Sequence, residues 1–189
     1  MTDSNAQNLP GDFAIWIFIL AELLVFGILF VAFAFARRYH LEMFNAGQLA
    51  LVKSYGALNT LVLITSSYFV VKAVSSIKEN LRKSCATWLF FALLMGSVFV
   101  IVKIIEYHEK FSAGYDLDTN LFFMFYFVLT FFHFMHVILG MIILGVVLIK
   151  TQHGDYSSEN HAGIETGASY WHMVDLVWVI LFPLIYVMR

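Results

Sequence analysis

Five stretches of this chain are almost wholly apolar, and each is long enough to cross the hydrocarbon core of a membrane. A crossing helix needs about 20 residues at a rise of about 1.5 Å per residue. The apolar runs are continuous rather than alternating, which is typical of helices and not of barrel strands. We predict an all-α integral membrane protein whose single domain, residues 1–189, is a bundle of five transmembrane helices. The predicted spans are residues 13–36, 55–74, 86–105, 121–149 and 168–188.

The composition agrees with lipid as the main solvent and excludes several classes of protein. The chain is 61% hydrophobic and 13% charged, whereas soluble domains are nearer half apolar and a quarter charged. A net charge of -2 provides no basic field for nucleic acid. The single cysteine, Cys85, excludes an internal disulfide and any multi-cysteine metal site. The connections are too short to form a catalytic domain, so the function lies within the bilayer or on helix faces.

Ionisable residues inside the spans are the most informative positions, because burying one in a membrane costs about 2.5–3.5 kcal/mol on insertion scales. Glu22 lies near the middle of the first span. Removal from water favours the neutral form of such a carboxyl. Two interpretations remain open. Glu22 either handles protons or contacts a lipid headgroup, or it is a carboxyl hydrogen-bonded within the bundle.

Two pairs of polar residues have a spacing of three, which places each pair on one helix face. The first pair is His133 and His136 in the fourth span, and the second is His172 and Asp175 near the start of the fifth. Together with Glu22 they form a predicted intramembrane polar cluster that is either structural or linked to protons or lipid. Within it, we expect Glu22, His133 and His136 to converge.

Lys103 and Glu106, at the end of the third span, are also three residues apart. We interpret them as an interfacial pair whose lysine reaches the headgroups. Such a solvated pair is worth only a few tenths of a kcal/mol.

The residues alone leave two further functions open. A membrane cytochrome could bind haem through His133 or His136 together with His172, since bis-imidazole ligation suits haem iron. A small transporter or proton channel could be lined by Glu22, the histidines and Asp175, although no inverted repeat favours it.

Four motifs in order along the chain resemble one family. Residues 170–178 read YWHMVDLVW, residues 130–140 read TFFHFMHVILG, residues 11–27 read GDFAIWIFILAELLVFG, and residues 103–107 read KIIEY. They resemble the YWHxVDxVW signature, the HxxHV helix, the helix with an intramembrane carboxylate and the KxxEY helix ending of subunit III of the haem-copper terminal oxidases. Glu22 falls on that carboxylate.

The resemblance implies a non-catalytic accessory subunit packed beside a catalytic subunit I. Haems and copper would belong to the partner subunits, so no cofactor or metal is expected in this chain, although phospholipid could be bound. Roles in assembly, stability or proton uptake would follow. Longer members have seven helices, and five-helix forms include the quinol oxidase subunit III and the NorE-type protein associated with nitric oxide reductase. The opening PGD and Glu22 are closer to the NorE type.

Orientation is not set by charge, because Lys and Arg are almost equally divided between the two sides of the predicted bundle. The resemblance implies a multi-pass protein of the bacterial inner membrane with its N-terminus in the cytoplasm. Neither the electron acceptor, oxygen or nitric oxide, nor the donor, cytochrome c or quinol, is set by residues of this chain.

Overall fold

The computed structural model describes residues 13–188, and within this range it is helical with no strand. The elements, in chain order, are α1 Phe13–Tyr39, α2 Leu41–Leu49, α3 Lys53–Lys78, α4 Arg82–Ser112, α5 Leu121–His153, α6 Ala162–Phe182 and a π-helical turn Pro183–Val187. All except α2 and the separate terminal turn are long and apolar enough to cross a membrane, which makes five candidate spans. The predicted fold class is confirmed.

The helices extend beyond the apolar runs from which they were predicted. α4 ends at Ser112 rather than near residue 105, and α6 begins at Ala162 rather than near residue 168. Hydropathy marks the part of a helix that lies in hydrocarbon, whereas backbone hydrogen bonding continues through polar residues that project into water. The added turns carry polar groups such as Glu109 and Glu165.

The first connection contains a helix that the sequence did not predict. α2 buries Phe44, Gly47 and Gln48, and Phe44 packs edge-to-face on Phe33 of α1 and Phe122 of α5. Only nine residues long, α2 is too short for a span and lies between α1 and α3. Its helical state therefore comes from tertiary packing, which is what stabilises most short helices.

Local sequence signals mark both the start and the end of α5. The Asn120 side chain accepts a hydrogen bond from the Phe123 backbone N–H at 3.0 Å, as an N-cap residue does. At the other end Gly154 has φ of 91°, the left-handed conformation that favours glycine after a helix C-terminus.

Two ends of the bundle can be distinguished by contacts between connections. Asn80, after α3, donates to the Ser158 hydroxyl at 2.8 Å and accepts from the Ser158 backbone N–H at 2.9 Å. This end is called the Asn80 side. At the opposite end, here the Lys110 side, Lys110 of α4 donates to the Ala50 carbonyl at 2.6 Å. α1 and α3 cross the bundle in opposite directions, so α1 begins on the side where α3 ends. The first described turn of α1 therefore lies on the Asn80 side.

Small residues let α4, α5 and α6 approach one another around Trp171. A Cβ added to Gly140 would lie 2.9 Å from Trp171 Cε3, and one added to Gly96 would lie 3.1 Å from Trp171 Cη2. Such close approach through small residues is common in membrane helix bundles. α3 joins this core through Ser66, whose hydroxyl donates to the Ala92 carbonyl at 2.9 Å.

The chain does not stop its helix at Pro183, although proline lacks the N–H that an α-helix uses. It forms a π-helical turn, in which the Met188 N–H donates to the Pro183 carbonyl at 2.9 Å. Neighbouring helices support this turn, since Gln48 of α2 donates to the Leu184 carbonyl at 3.3 Å. As a result Tyr186 is carried into the protein core, where 1% of it is exposed.

Candidate functional site

The first polar site joins α1 to α5 through Glu22 and His136. Glu22 Oε2 lies 3.0 Å from His136 Nε2, and the side chains are 20% and 10% exposed. His136 Nδ1 lies 2.7 Å from the Phe132 carbonyl oxygen. Because a carbonyl only accepts, Nδ1 carries a hydrogen and Nε2 is the nitrogen that faces the carboxyl.

A hydrogen bond between these two atoms needs one proton, which either partner can hold. Either a neutral Glu22 carboxyl donates to Nε2 of a neutral imidazole, or a Glu22 carboxylate accepts from Nε2–H of an imidazolium. The rings of Phe26 and Phe132 flank the imidazole at centroid distances of 5.3 Å and 4.6 Å and shield one side of it from water. The arrangement can hold, take up or release one proton at a defined position inside a helix bundle.

His133 does not join this pair. Its ring is fully buried, with centroids 5.8 Å from Phe99, 5.1 Å from Trp178 and 6.3 Å from Phe26. Neither ring nitrogen has a hydrogen-bond partner among residues 13–188. Of the three residues expected to converge, Glu22 and His136 bond to each other, whereas His133 lies beside them among aromatic rings and shares only the Phe26 ring with His136.

The second polar site joins α3 to α6. His172 Nδ1 lies 2.6 Å from the Ser67 hydroxyl, and the Asp175 carboxyl lies near the same hydroxyl. One carboxyl oxygen of Asp175, Oδ1, is buried and has no partner within residues 13–188. His172 and Asp175 thus both lie near Ser67 of α3. They lie on a different pair of helices from Glu22 and His136, so the five predicted residues do not form one cluster.

The third polar site is centred on Lys103 and Glu106, and it corrects the prediction of an interfacial pair. Lys103 Nζ lies 2.9 Å from Glu106 Oε2, but both side chains are 0% exposed. Their position looked interfacial because the apolar run ends there. The helix continues to Ser112, and α5 and the terminal π-helical turn cover the pair.

Two tyrosines complete this third site, here called the lysine–glutamate cluster (Lys103, Glu106, Tyr126 and Tyr186). The Tyr186 hydroxyl accepts from Lys103 Nζ at 2.9 Å and donates to Glu106 Oε1 at 2.7 Å. The Tyr126 hydroxyl accepts from the ammonium at 3.4 Å and donates to the same oxygen at 2.9 Å. The ammonium also lies 4.9 Å from the Tyr126 ring centroid, where a cation is attracted to the ring face.

Sequence reasoning missed three of the residues in these sites. Ser67, Tyr126 and Tyr186 are not among the site residues that the sequence analysis singled out. The Lys103–Glu106 pair itself indicated that hydroxyl groups should lie nearby, because a buried lysine–carboxylate pair needs further hydrogen-bond donors and acceptors. The spacing of residues along the chain could not identify Tyr186, since its position depends on the π-helical turn.

The imidazole and carboxyl groups of the described residues lie apart from one another or are bonded to other side chains. Among residues 13–188 no three His, Cys, Asp or Glu side chains are grouped so that they could hold a metal ion. For haem, His136 is engaged by Glu22 and a carbonyl, and His172 by Ser67. His133 packs against Trp178, six residues or about 9 Å further along α6 than His172. The two imidazoles thus lie at different depths, which does not fit one haem iron.

Comparison with known proteins adds an independent line of evidence. Residues 7–189 match the family described as cytochrome c oxidase subunit III. Cytochrome c oxidase subunit 3 of Thermostichus vulcanus is 34% identical over 173 residues, which is 91% of this chain and 84% of that protein. The subunit 3 of Synechocystis is 34% identical over 99% of this chain and 84% of its own length.

A third relative differs in its architecture. The heme-copper oxidase subunit I+III of Aeropyrum pernix is 30% identical over 179 residues, which is 92% of this chain but 22% of that protein. Its name states that subunits I and III form one polypeptide there. The extent of the family match, together with the five apolar helices, leads to one conclusion. This chain belongs to the cytochrome c oxidase subunit III family.

Proposed function

We propose that this chain is a non-catalytic accessory membrane subunit of a respiratory haem-copper oxidase or nitric oxide reductase complex. The single observation that supports this most is the family match over residues 7–189, in which the whole described bundle takes part. The polar sites agree with such a role, because each links helices within the bundle rather than assembling a redox centre. Haem and copper would be held by partner subunits.

The partner in this proposal is the catalytic subunit I. The Aeropyrum pernix relative, in which subunits I and III share one chain, supports this pairing. Several faces of the bundle remain apolar and exposed, α1 most of all, with Leu20, Leu24 and Ile28 each at least 60% exposed. A partner subunit and membrane phospholipid would share this surface. The proposed location is the bacterial inner membrane, with the N-terminus in the cytoplasm.

The contribution of the chain to its partner would be assembly, stability and proton uptake. Glu22 and His136 support the last of these, since they share one proton at a partly exposed position. A protein with such a pair beside subunit I could exchange protons with its environment without carrying electrons.

The NorE-type assignment is a finer proposal within the same family. It rests on Glu22 and on the PGD opening, whose residues 10–12 lie outside the described part of the chain. Under this finer proposal the complex reduces nitric oxide, whereas the broader proposal includes both oxygen and nitric oxide as the electron acceptor.

Purification from native membranes tests the proposed function. The affinity-tagged chain, extracted in mild detergent, should bring with it a haem-containing subunit whose absorption spectrum identifies the complex. Consumption of oxygen and of nitric oxide by that preparation distinguishes the two acceptors. A strain lacking the chain should keep a spectrally normal partner with lower activity or abundance, and reintroducing the chain should restore it.

Two results would count against the proposal. A stable, partner-free protein from native membranes would exclude an obligate subunit. A haem absorption band in the purified chain alone would favour the membrane cytochrome instead.

A further inference from the structure

A groove between α3 and α6 lies toward the Asn80 side of the bundle. It has a volume of about 260 Å³ and is lined by the polar residues Ser75, Lys78, Glu165, Ser169 and His172 together with the apolar residues Val71, Val74 and Ala168. Lys78 Nζ and Glu165 Oε1 form an ion pair of 2.8 Å near the start of α6, where the groove begins. Neither Glu22 nor the lysine–glutamate cluster lines it.

The groove ends at the second polar site. The His172 ring forms part of the lining, and its Nδ1 is held by Ser67, so Nε2 is the ring nitrogen left for water in the groove. The Asp175 carboxyl lies near the Ser67 hydroxyl. The Asp175 Oδ1 atom is buried without a partner among the described residues. The polar groups thus run in order from Lys78 and Glu165 through His172 and Ser67 to Asp175.

This series enters the hydrocarbon from the Asn80 side. Asp175 is seven residues, or about 10 Å at about 1.5 Å per residue, inside the apolar run that begins at residue 168, and Ser67 is equally far inside the run that ends at residue 74. Hydroxyl, imidazole and carboxyl groups that face lipid at that depth raise the free energy of the protein, because they lose their hydrogen bonds to water. Polar residues that face a water-filled cavity avoid this cost.

We propose that the α3–α6 groove is a hydrated half-channel that conducts protons from the Asn80 side of the membrane to Asp175. A proton from groove water binds His172 Nε2, the Nδ1 proton passes to Ser67 Oγ, and the Ser67 hydroxyl proton passes to the Asp175 carboxylate. His172 ends as the other neutral tautomer, Ser67 is unchanged and Asp175 is neutral, so one proton has moved inward. The proposal concerns this chain alone and holds whichever catalytic subunit is its partner.

The ionisable groups that face this path come from both helices and one connection. Lys78 of α3 pairs with Glu165 of α6 at the entrance, and His161 Nε2 lies 3.4 Å from the same Glu165 oxygen. His172 lies at the inner end of the groove. The paired entrance places no uncompensated cation in front of an incoming proton, because Glu165 faces both Lys78 and His161.

Cysteine labelling tests whether the groove contains water. The natural thiol, Cys85, is fully buried, so the background reaction is low. Ser169→Cys, in the groove, should react with a charged, membrane-impermeant methanethiosulfonate in vesicles that hold the native complex. The matched control is Phe90→Cys, which is 56% exposed on the outer surface of α4. Both positions lie near the Asn80 end of the hydrocarbon, one and four residues inside the apolar runs that begin at residues 168 and 86.

Reaction of Ser169→Cys should be at least about tenfold faster than that of Phe90→Cys, which corresponds to about 1.4 kcal/mol. It should occur only when the reagent is added on the Asn80 side. Equal slow reaction of both variants would mean that the groove is dry or covered by lipid or protein, and would overturn the proposal. Reaction from the opposite side alone would overturn it as well.

Infrared spectroscopy tests the inner relay. A carbonyl band of protonated Asp175, identified by its loss in Asp175→Asn, should appear when the bulk pH is lowered rapidly. Ser67→Ala removes the relay hydroxyl and should slow this appearance at least about tenfold. Thr65→Ala, which removes a hydroxyl that bonds only back to Leu61 of its own helix at 2.8 Å, should leave the rate unchanged.

Equal rates in Ser67→Ala and Thr65→Ala would exclude Ser67 from the path. A wild-type protein with no Asp175 band at any pH would exclude Asp175 as the proton acceptor. Both variants must co-purify with the same partner as the wild type, so that a failure of the relay is distinguished from a failure of the proposed function.

Discussion

The lysine–glutamate cluster and the Glu22–His136 pair both place charged residue types inside the bundle, yet their surroundings are opposite. The cluster is fully buried, and its ammonium and carboxylate are bonded by two tyrosine hydroxyls. Glu22 lies on α1, the least enclosed span, and remains 20% exposed. In the most apolar 18-residue stretches, 17% of residues are buried for α1 against 50% for the last span.

The comparison shows that an ionisable residue in a span has no single meaning. Where its hydrogen-bonding capacity is filled within the chain, it links helices and stabilises the bundle. Where it has one partner and partial exposure, it can exchange a proton with its environment. We therefore expect variants of the cluster to change stability most, and variants of the Glu22–His136 pair to change proton-linked behaviour.

The largest expected effect is that of Lys103→Met. It leaves the Glu106 carboxyl buried without its cation, and breaking one side of a buried pair typically lowers the free energy of unfolding by about 3–5 kcal/mol. Unfolding in mixed micelles of denaturing and mild detergent measures this loss. The control is Lys72→Met, because Lys72 is exposed and lies 5.7 Å over the Tyr68 ring; it should change stability by about 1 kcal/mol or less. Equal losses in the two variants would show that the cluster is not a stabilising link.

A smaller loss is expected for Tyr186→Phe. The substitution keeps the ring but removes the hydroxyl that bonds both Lys103 and Glu106, so unfolding should become easier by about 1–2 kcal/mol. Tyr68→Phe is the matched control, since its ring is 54% exposed, and it should be neutral. If Tyr186→Phe were equally neutral, the π-helical turn would not be anchored by this hydroxyl.

Glu22→Gln should change stability little, by less than about 1 kcal/mol, because an amide can still donate to His136 Nε2. The two carboxyls should differ in their reactivity. A hydrophobic carbodiimide, which reaches carboxyls from the lipid phase, should label Glu22, which is 20% exposed, and leave the fully buried Glu106 unmodified. Peptide mass analysis locates the label, and Glu22→Gln should abolish it. Labelling at Glu106 instead would reverse the comparison between the two sites.

The smallest effect is expected at His133. Because neither ring nitrogen has a partner among residues 13–188, His133→Leu removes no hydrogen bond that the structure contains. The free energy of unfolding should stay within about 1 kcal/mol of the wild type or increase. His136→Leu, the control on the same helix face, leaves Glu22 without its partner and should be more destabilising. A loss above about 2 kcal/mol at His133 would mean that its nitrogens are hydrogen-bonded in the membrane.

The fold was largely predictable from hydropathy, and the sites only in part. The five spans follow from apolar runs, and residues 170–178 were correctly placed in the last of them. The α2 helix was missed, because a nine-residue segment is helical only through its packing on Phe33 and Phe122. Among the polar residues, spacing along one helix paired His172 with Asp175 correctly in space. It could not place Glu22 against His136 rather than His133, since that choice depends on the rotation of α1 against α5.

Depth in the membrane depends on the local run of apolar residues. The sequence alone therefore determined that this chain has five spans, and that Glu22, His133, His136, His172 and Asp175 lie within them. The partner of each polar group is a long-range property. Only the tertiary structure decided that Lys103 and Glu106 are enclosed instead of interfacial, because residues 20 and 80 positions away supply the hydroxyls that bond Glu106. Helix periodicity specifies which side chains share a face, but packing decides what that face meets.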